Sequence, residues 1–296
     1  MHGRPGITGA FLISGRQTAL VETGPKSSIE PVLDGLEELG VDSLDWIVVT
    51  HIHLDHAGAA GTIARRYPMA RVAVHHVGAP HLVDPSKLWS SATRIYGSAM
   101  DELWGGIDPV DEDKIVVLYD GDVVDLGGRT LRAVDTPGHA RHHHAFLDED
   151  SGICFVGDAL GVRLQDIGIV RPATPPPEFH LEDAIKSIER IRELDASSLF
   201  LTHYGPSDMG KRPQSPNEVC DSAVESLRRW EGYVRDARQQ TNDPARITEL
   251  VRNAARVGSE TRASAEAVQR MEQTTSYEMN VSGYLRYLDK TDKPPG

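Results

Sequence analysis

The 296-residue sequence predicts an α/β domain followed by an all-helical extension. Two observations carry this reading. Over residues 1–212, short apolar strand patterns alternate with amphipathic helical ones, and each metal-ligand candidate there stands in the loop that follows a strand. From about residue 213 the chain turns to long charged helices with no strand pattern, which sets a catalytic domain at 1–212 and a helical C-terminal extension at 213–296.

Ala10–Ser14 and Thr18–Glu22 read as two strands joined at Gly15-Arg16, and Thr23-Gly24-Pro25 ends the second. Ser28–Gly40 is a helix with Ile29, Val32, Leu33, Leu36 and Leu39 on one face and Gly40 as its stop. Trp46–Val49 is a buried strand that delivers Thr50-His51-Ile52-His53-Leu54-Asp55-His56-Ala57-Gly58. Alternate side chains of extended chain share a face about 7 Å apart, so His51 and His53 lean on one ion from the same side. Asp55 and His56, at the turn toward the next helix, are placed for a second ion. Zinc, iron and manganese accept imidazole and carboxylate, and no thiolate is offered.

Ala57–Tyr67 is expected as a closely packed helix stopped by Pro68, and Arg71–His75 as a strand. His75 and His76 are read as strand-end residues, because the main cluster already fills two coordination spheres. Pro85–Gly106 reads as helix carrying Leu88, Trp89, Ile95, Tyr96, Met100, Leu103 and Trp104. An aromatic stripe at helical spacing is first of all core. A segment that interrupts a strand series is also where lids are inserted. Trp89, Tyr96 and Trp104 are therefore candidate substrate contacts, as is Tyr204.

Lys114–Leu118, Arg129–Val134, His143–Leu147 and Ile153–Val156 form a run of strands. His139 leaves by the tight Thr136-Pro137-Gly138 turn, and Asp158 follows Val156-Gly157. His142, His143 and His144 enter the next strand; one is expected to support a ligand from behind, the others to be structural. Arg171–Pro177, with four prolines, is a rigid connector. Leu181–Leu194 is an amphipathic helix, and Ser198–Thr202 is a last strand that delivers His203.

Helices are expected at Asn217–Gln239, Pro244–Val257, Glu260–Met271 and Tyr277–Leu288. They serve as a packing appendage, as the surface of a homo-oligomer, or as a cap to which Tyr277, Met279, Tyr284 and Tyr287 contribute.

Bulk properties narrow the partners. A net charge of −13 without a long Lys/Arg run disfavours nucleic acid. No apolar run is long enough to span a membrane, and the polar N-terminus does not resemble a signal peptide, so the cytoplasm is the expected location. Cys154 and Cys220 suggest neither a disulfide framework nor a thiolate site. The expected partner is a small-molecule substrate.

THIHLDHAG at 50–58, TPGH at 136–139, VGDA at 156–159 and LTHYGP at 201–206, in that order, resemble the metallo-β-lactamase superfamily over residues 7–210. The resemblance implies an αββα sandwich with metals between loops at one edge. It implies His51, His53 and His139 on a first metal, Asp55, His56 and His203 on a second, and Asp158 bridging them. The helical C-terminus resembles the appendage of glyoxalase II.

Departures from the named branches are specific. True zinc β-lactamases lack this bridging aspartate. Glyoxalase II follows it with a cysteine/glycine/basic motif where this chain has Ala159-Leu160-Gly161-Val162-Arg163. Quorum-signal lactonases place a tyrosine at the position of Gly161, flavodiiron proteins a glutamate at that of His53, and the family often carries Asp where Glu22 stands.

The implied cofactors are two divalent transition metals, zinc first and iron or manganese as alternatives. The implied activity is hydrolysis of a small ester, thioester or lactone by a metal-bridging hydroxide, with Asp55 as the catalytic proton carrier. The alternative on the same fold is a mononuclear iron persulfide dioxygenase.

Overall fold

In the computed structural model, residues 6–292 are described; the start of the polar N-terminus, on which the signal-peptide expectation rests, and the end of the 213–296 extension lie outside them. The chain divides into two compact units, Met1–Asp135 with His142–Gly157, and Thr136–Arg141 with Asp158–Gly296.

The first unit contains, in chain order, β1 (Phe11–Ser14), β2 (Thr18–Val21), α1 (Glu30–Glu38), β3 (Trp46–Val48), α2 (Leu54–Ala57), α3 (Ala60–Arg66), β4 (Arg71–His75), α4 (Ala79–Val83), α5 (Ser86–Tyr96), α6 (Met100–Trp104), β5 (Ile115–Leu118), β6 (Val123–Asp125), β7 (Thr130–Asp135), β8 (His144–Asp148) and β9 (Ile153–Gly157). One sheet runs β1-β2-β3-β4-β5, antiparallel at the first pair and parallel thereafter. The neighbouring strands β9-β8-β7-β6 are antiparallel.

Parallel strands are covered on both faces, which is why β3 is buried throughout and reads as an unbroken apolar run. Leu20, Ile47, Val72 and Val74 from the first sheet pack with Leu36 of α1, Ile63 of α3 and Leu82 of α4. The two sets of strands meet where the Phe11 and Phe155 rings stand 5.5 Å apart and where His144 N–H donates to the Thr50 carbonyl at 2.8 Å.

Three elements differ from the sequence reading. The helix expected from Ala57 starts at Leu54 and breaks after Ala57, so Asp55 and His56 lie on a helical turn rather than in the loop. Gly58 permits this: a Cβ there would meet the Leu54 carbonyl oxygen at 2.2 Å. The helix expected over Pro85–Gly106 is broken at Gly97, whose φ of +54° with ψ of −127° suits glycine rather than a residue with a side chain. The edge strand β6 is too short, at three residues, to leave a period-two signature.

The second unit contains β10 (Val162–Arg163), β11 (Val170–Arg171), α7 (Leu181–Glu193), β12 (Ser198–Leu201), β13 (Gly205–Pro206), α8 (Pro216–Arg238), α9 (Pro244–Val257), α10 (Ala265–Glu272) and α11 (Tyr277–Thr291). Ser215 and Glu218 form a capping box at the start of α8, with Pro216 at the first helical position. Trp230 of α8 stacks on Tyr277 of α11 at 5.5 Å.

Arg171, fully buried, donates to Glu260 at 2.8 Å and to Glu272, and Tyr277 donates its hydroxyl proton to Glu260. This network explains why the helix expected from Glu260 begins only at Ala265. Glu260 faces inward to Arg171, and Ser264 caps the helix by accepting the Ala267 N–H. Tyr284 donates to the Leu227 carbonyl at 2.7 Å, and Tyr287 packs beside Phe179. Tyr277, Tyr284 and Tyr287 are therefore core residues of this unit, as the packing-appendage alternative has it. Among the described residues no helix is long and apolar enough to cross a membrane.

Candidate metal centre

β3 ends at Val48 and the chain turns through Thr50 into the histidine-bearing stretch. His51 is fully buried; its Nε2 stands 3.0 Å from His53 Nδ1, and its ring centroid lies 3.9 Å from that of His56. Asp55 keeps some solvent access, with its Oδ2 3.8 Å from His56 Nε2. Four donors in six positions are thus gathered on one turn of helix and the three residues before it.

What orients them is a carboxylate at the end of the second strand. Glu22, beyond the end of β2, is buried with a φ of +67°. Its Oε1 accepts the Thr50 N–H at 2.8 Å and its Oε2 takes a 2.6 Å hydrogen bond from His56 Nδ1. That bond holds the His56 proton on Nδ1 and leaves the Nε2 lone pair directed toward Asp55. A strained backbone residue is kept only where its surroundings over-determine it. Glu22 thus ties the start of the histidine-bearing stretch to the His56 ring.

In the second unit, Asp158 presents its two oxygens to different histidines: Oδ2 stands 3.5 Å from His139 Nε2 and Oδ1 3.5 Å from His203 Nε2. His139 Nδ1 donates to the Ala173 carbonyl at 3.0 Å, so the proton sits on Nδ1 and the Nε2 lone pair faces Asp158. The turn that carries His139 is pinned to α7. His180 N–H donates to the Gly138 carbonyl at 2.8 Å, and a Cβ on Gly138, whose φ is +129°, would fall 2.3 Å from the Ala184 nitrogen.

Imidazoles with the proton held on the far nitrogen, beside carboxylates, are a donor set that fits divalent metal in both units. Of the neighbouring histidines, His142 lies against the His51 and His53 rings, and its Nδ1 faces the Ile52 N–H at 3.5 Å. His143 packs 4.9 Å from the His51 ring, over Gly157, where a Cβ would meet its Nε2 at 2.5 Å.

The aromatic candidates separate by packing. Trp104, 3% exposed, forms a core cluster with Leu54 and Met100, and the Tyr96 ring meets it edge-on at 5.1 Å. Trp89 and Tyr96 are half-buried against the same cluster. Trp104 is thus a packing residue under the Asp55 turn rather than a substrate contact, which corrects that expectation. Tyr204, with a φ of +66°, donates its hydroxyl proton to the Arg270 carbonyl at 2.6 Å. It anchors the residue after His203 to α10.

The chain belongs to the metallo-beta-lactamase superfamily, whose family model matches residues 3–203. It is 31% identical over 206 residues, 68% of this chain and 74% of the relative, to the metallo-beta-lactamase fold-containing protein ST1585 of Sulfurisphaera tokodaii. The crystal structure of ST1585 superposes with a TM-score of 0.68 at 24% identity, covering 95% of this chain and 93% of that one. A hydroxyacylglutathione hydrolase of a Synechococcus species is 30% identical over 194 residues, 65% of this chain and 62% of that protein.

Proposed function

We propose that the protein is a dinuclear metal-dependent hydrolase of a small ester, thioester or lactone. His51, His53 and His139 would hold one ion, Asp55, His56 and His203 the other, with Asp158 shared between them. The observation that carries this reading is Asp158, which turns a separate oxygen to His139 and to His203. A carboxylate that faces a different histidine with each oxygen suits a bridge between two ions. Bound there, the two ions would acidify a shared water toward neutrality and polarise the carbonyl under attack.

The chain's own residues do the rest. Glu22 and the Ala173 carbonyl hold His56 and His139 in the ligating tautomer. Asp55, the more exposed member of its turn, takes a proton from the attacking water and passes it to the leaving group. Among ester types a thioester is favoured, because the similar hydroxyacylglutathione hydrolase is named for one.

The test is a panel of acyl thioesters, lactones and esters assayed with zinc- or manganese-loaded protein, beside an oxygen electrode with glutathione persulfide. Turnover of a panel member without oxygen uptake is expected. Rapid oxygen uptake by iron-loaded protein, with the panel untouched, would replace this reading by the persulfide dioxygenase.

A further inference from the structure

A second cluster of metal-type donors lies wholly in the first unit and shares no residue with the centre described above. It consists of His75 at the end of β4, Asp135 at the end of β7 and His144 at the start of β8. Asp135 and His144 are cross-strand partners in the β7–β8 register, and His75 comes from the other sheet. His144 Nε2 stands 2.7 Å and His75 Nε2 3.4 Å from Asp135 Oδ1, and one ligand atom from each of the three lies within 4.8 Å of the others. Both imidazoles are buried while the Asp135 side chain is 34% exposed, so the cluster has a protein side and an open side.

We propose that His75, Asp135 and His144 form a third divalent-metal site, with two histidines, one carboxylate and water on the exposed face. Two histidines and a carboxylate with an open position make a recurrent ligand set for zinc and for iron. Charge favours a cation, since Asp120 accepts the Asp135 N–H at 2.9 Å and brings a second carboxylate beside it. Burial pushes the His75 imidazole down to about 4 and lowers His144 as well, so both rings are uncharged at neutral pH.

The far nitrogens set the strength of this site. At the main centre His56 and His139 hand their Nδ1 protons to acceptors, Glu22 and the Ala173 carbonyl. At His75 the pattern is reversed: Nδ1 accepts the Val77 N–H at 3.0 Å, which places the ring proton on Nε2, toward Asp135. His144 Nδ1 is buried without a partner among the described residues. An ion entering here must displace the Nε2 protons to the far nitrogens, breaking the Val77 contact and gaining no new acceptor. The third site is therefore weaker than one with acceptors in those positions, by about ten- to a hundredfold on the usual worth of such partners.

The test is zinc titration of protein first saturated at its tight sites, read by a chromophoric chelator and by ¹⁵N shifts of the histidine rings. A further saturable equivalent is expected, roughly tenfold or more weaker than the tight zinc, with the His75 and His144 ring nitrogens shifting as it fills. Asp135→Asn, at the exposed position, and His75→Gln should each weaken that equivalent about tenfold or more and leave the tight zinc in place. Absence of a further equivalent, unmoved His75 and His144 rings, or binding unaltered in both variants would overturn the proposal. None of these outcomes depends on hydrolytic activity, so the proposal stands or falls apart from the function above.

Discussion

Glu22 Oε2 lies 2.6 Å from His56 Nδ1, and neither side chain reaches solvent, so a strand-end carboxylate fixes the tautomer of a candidate ligand 34 residues further along the chain. Glu22→Gln keeps the shape but replaces one carboxylate oxygen by an NH₂ donor. It should weaken metal binding at the second ion about ten- to a hundredfold, the usual effect of losing such a partner. Competition with a chelator of known affinity measures it, and unaltered binding would remove Glu22 from the metal-supporting role.

The aromatic cluster predicts a contrast between two tryptophans. Trp104 is buried with Leu54 and Met100, whereas Trp89 only packs against that cluster from a half-buried position. Trp104→Ala should cost about 3–5 kcal/mol of stability, and Trp89→Ala clearly less. Denaturant unfolding of both variants decides it; equal, small losses would restore a mobile lid.

In the second unit the Arg171–Glu260 pair is buried on both sides. Removing Glu260 leaves Arg171 with Glu272 alone and takes the acceptor from the Tyr277 hydroxyl, so Glu260→Ala should cost about 1–3 kcal/mol. Glu260→Gln, which retains an acceptor for Arg171, should cost less. A stability change under about 1 kcal/mol in Glu260→Ala, judged against the usual cost of such a loss, would contradict the role given to this network.

The buried His75 gives a pH signature in chelator-treated protein. Its pKa is lowered from 6.5 to about 4, by burial first and then by His144. Between those values the unfolded chain takes up a proton that the folded protein refuses. Stability therefore rises with pH across this window and is lost as pH falls through it, by up to about 3 kcal/mol. His75→Gln should flatten this part of the profile, seen as Tm against pH; an identical profile in the variant would contradict the assigned shift.

The sequence made the strand-then-ligand order legible because parallel strands leave continuous apolar runs, and Trp46–Val48 and Arg71–His75 appear where that pattern sets them. The ligand candidates were legible because histidines and aspartates crowd into short loops after those strands. The contacts of Glu22 were not, since they rest on a positive φ and on a partner 34 positions away, and neither leaves a local pattern. The break at Gly97 was hidden inside an aromatic stripe whose helical spacing continues on both sides of it. The His75–Asp135–His144 cluster was hidden for another reason: its members come from three strands of two sheets, and each alone reads as a strand end.

The central claim, two ions shared through Asp158, is tested most directly by native mass spectrometry of the intact protein and of His203→Ala, each assayed in parallel for thioester hydrolysis and oxygen uptake. The tightly held metal should fall from two ions per chain to one, and hydrolysis should disappear, because His203 belongs to the second position alone and the shared water needs both. A single iron per chain in both proteins, with oxygen uptake undiminished by the substitution, would contradict it.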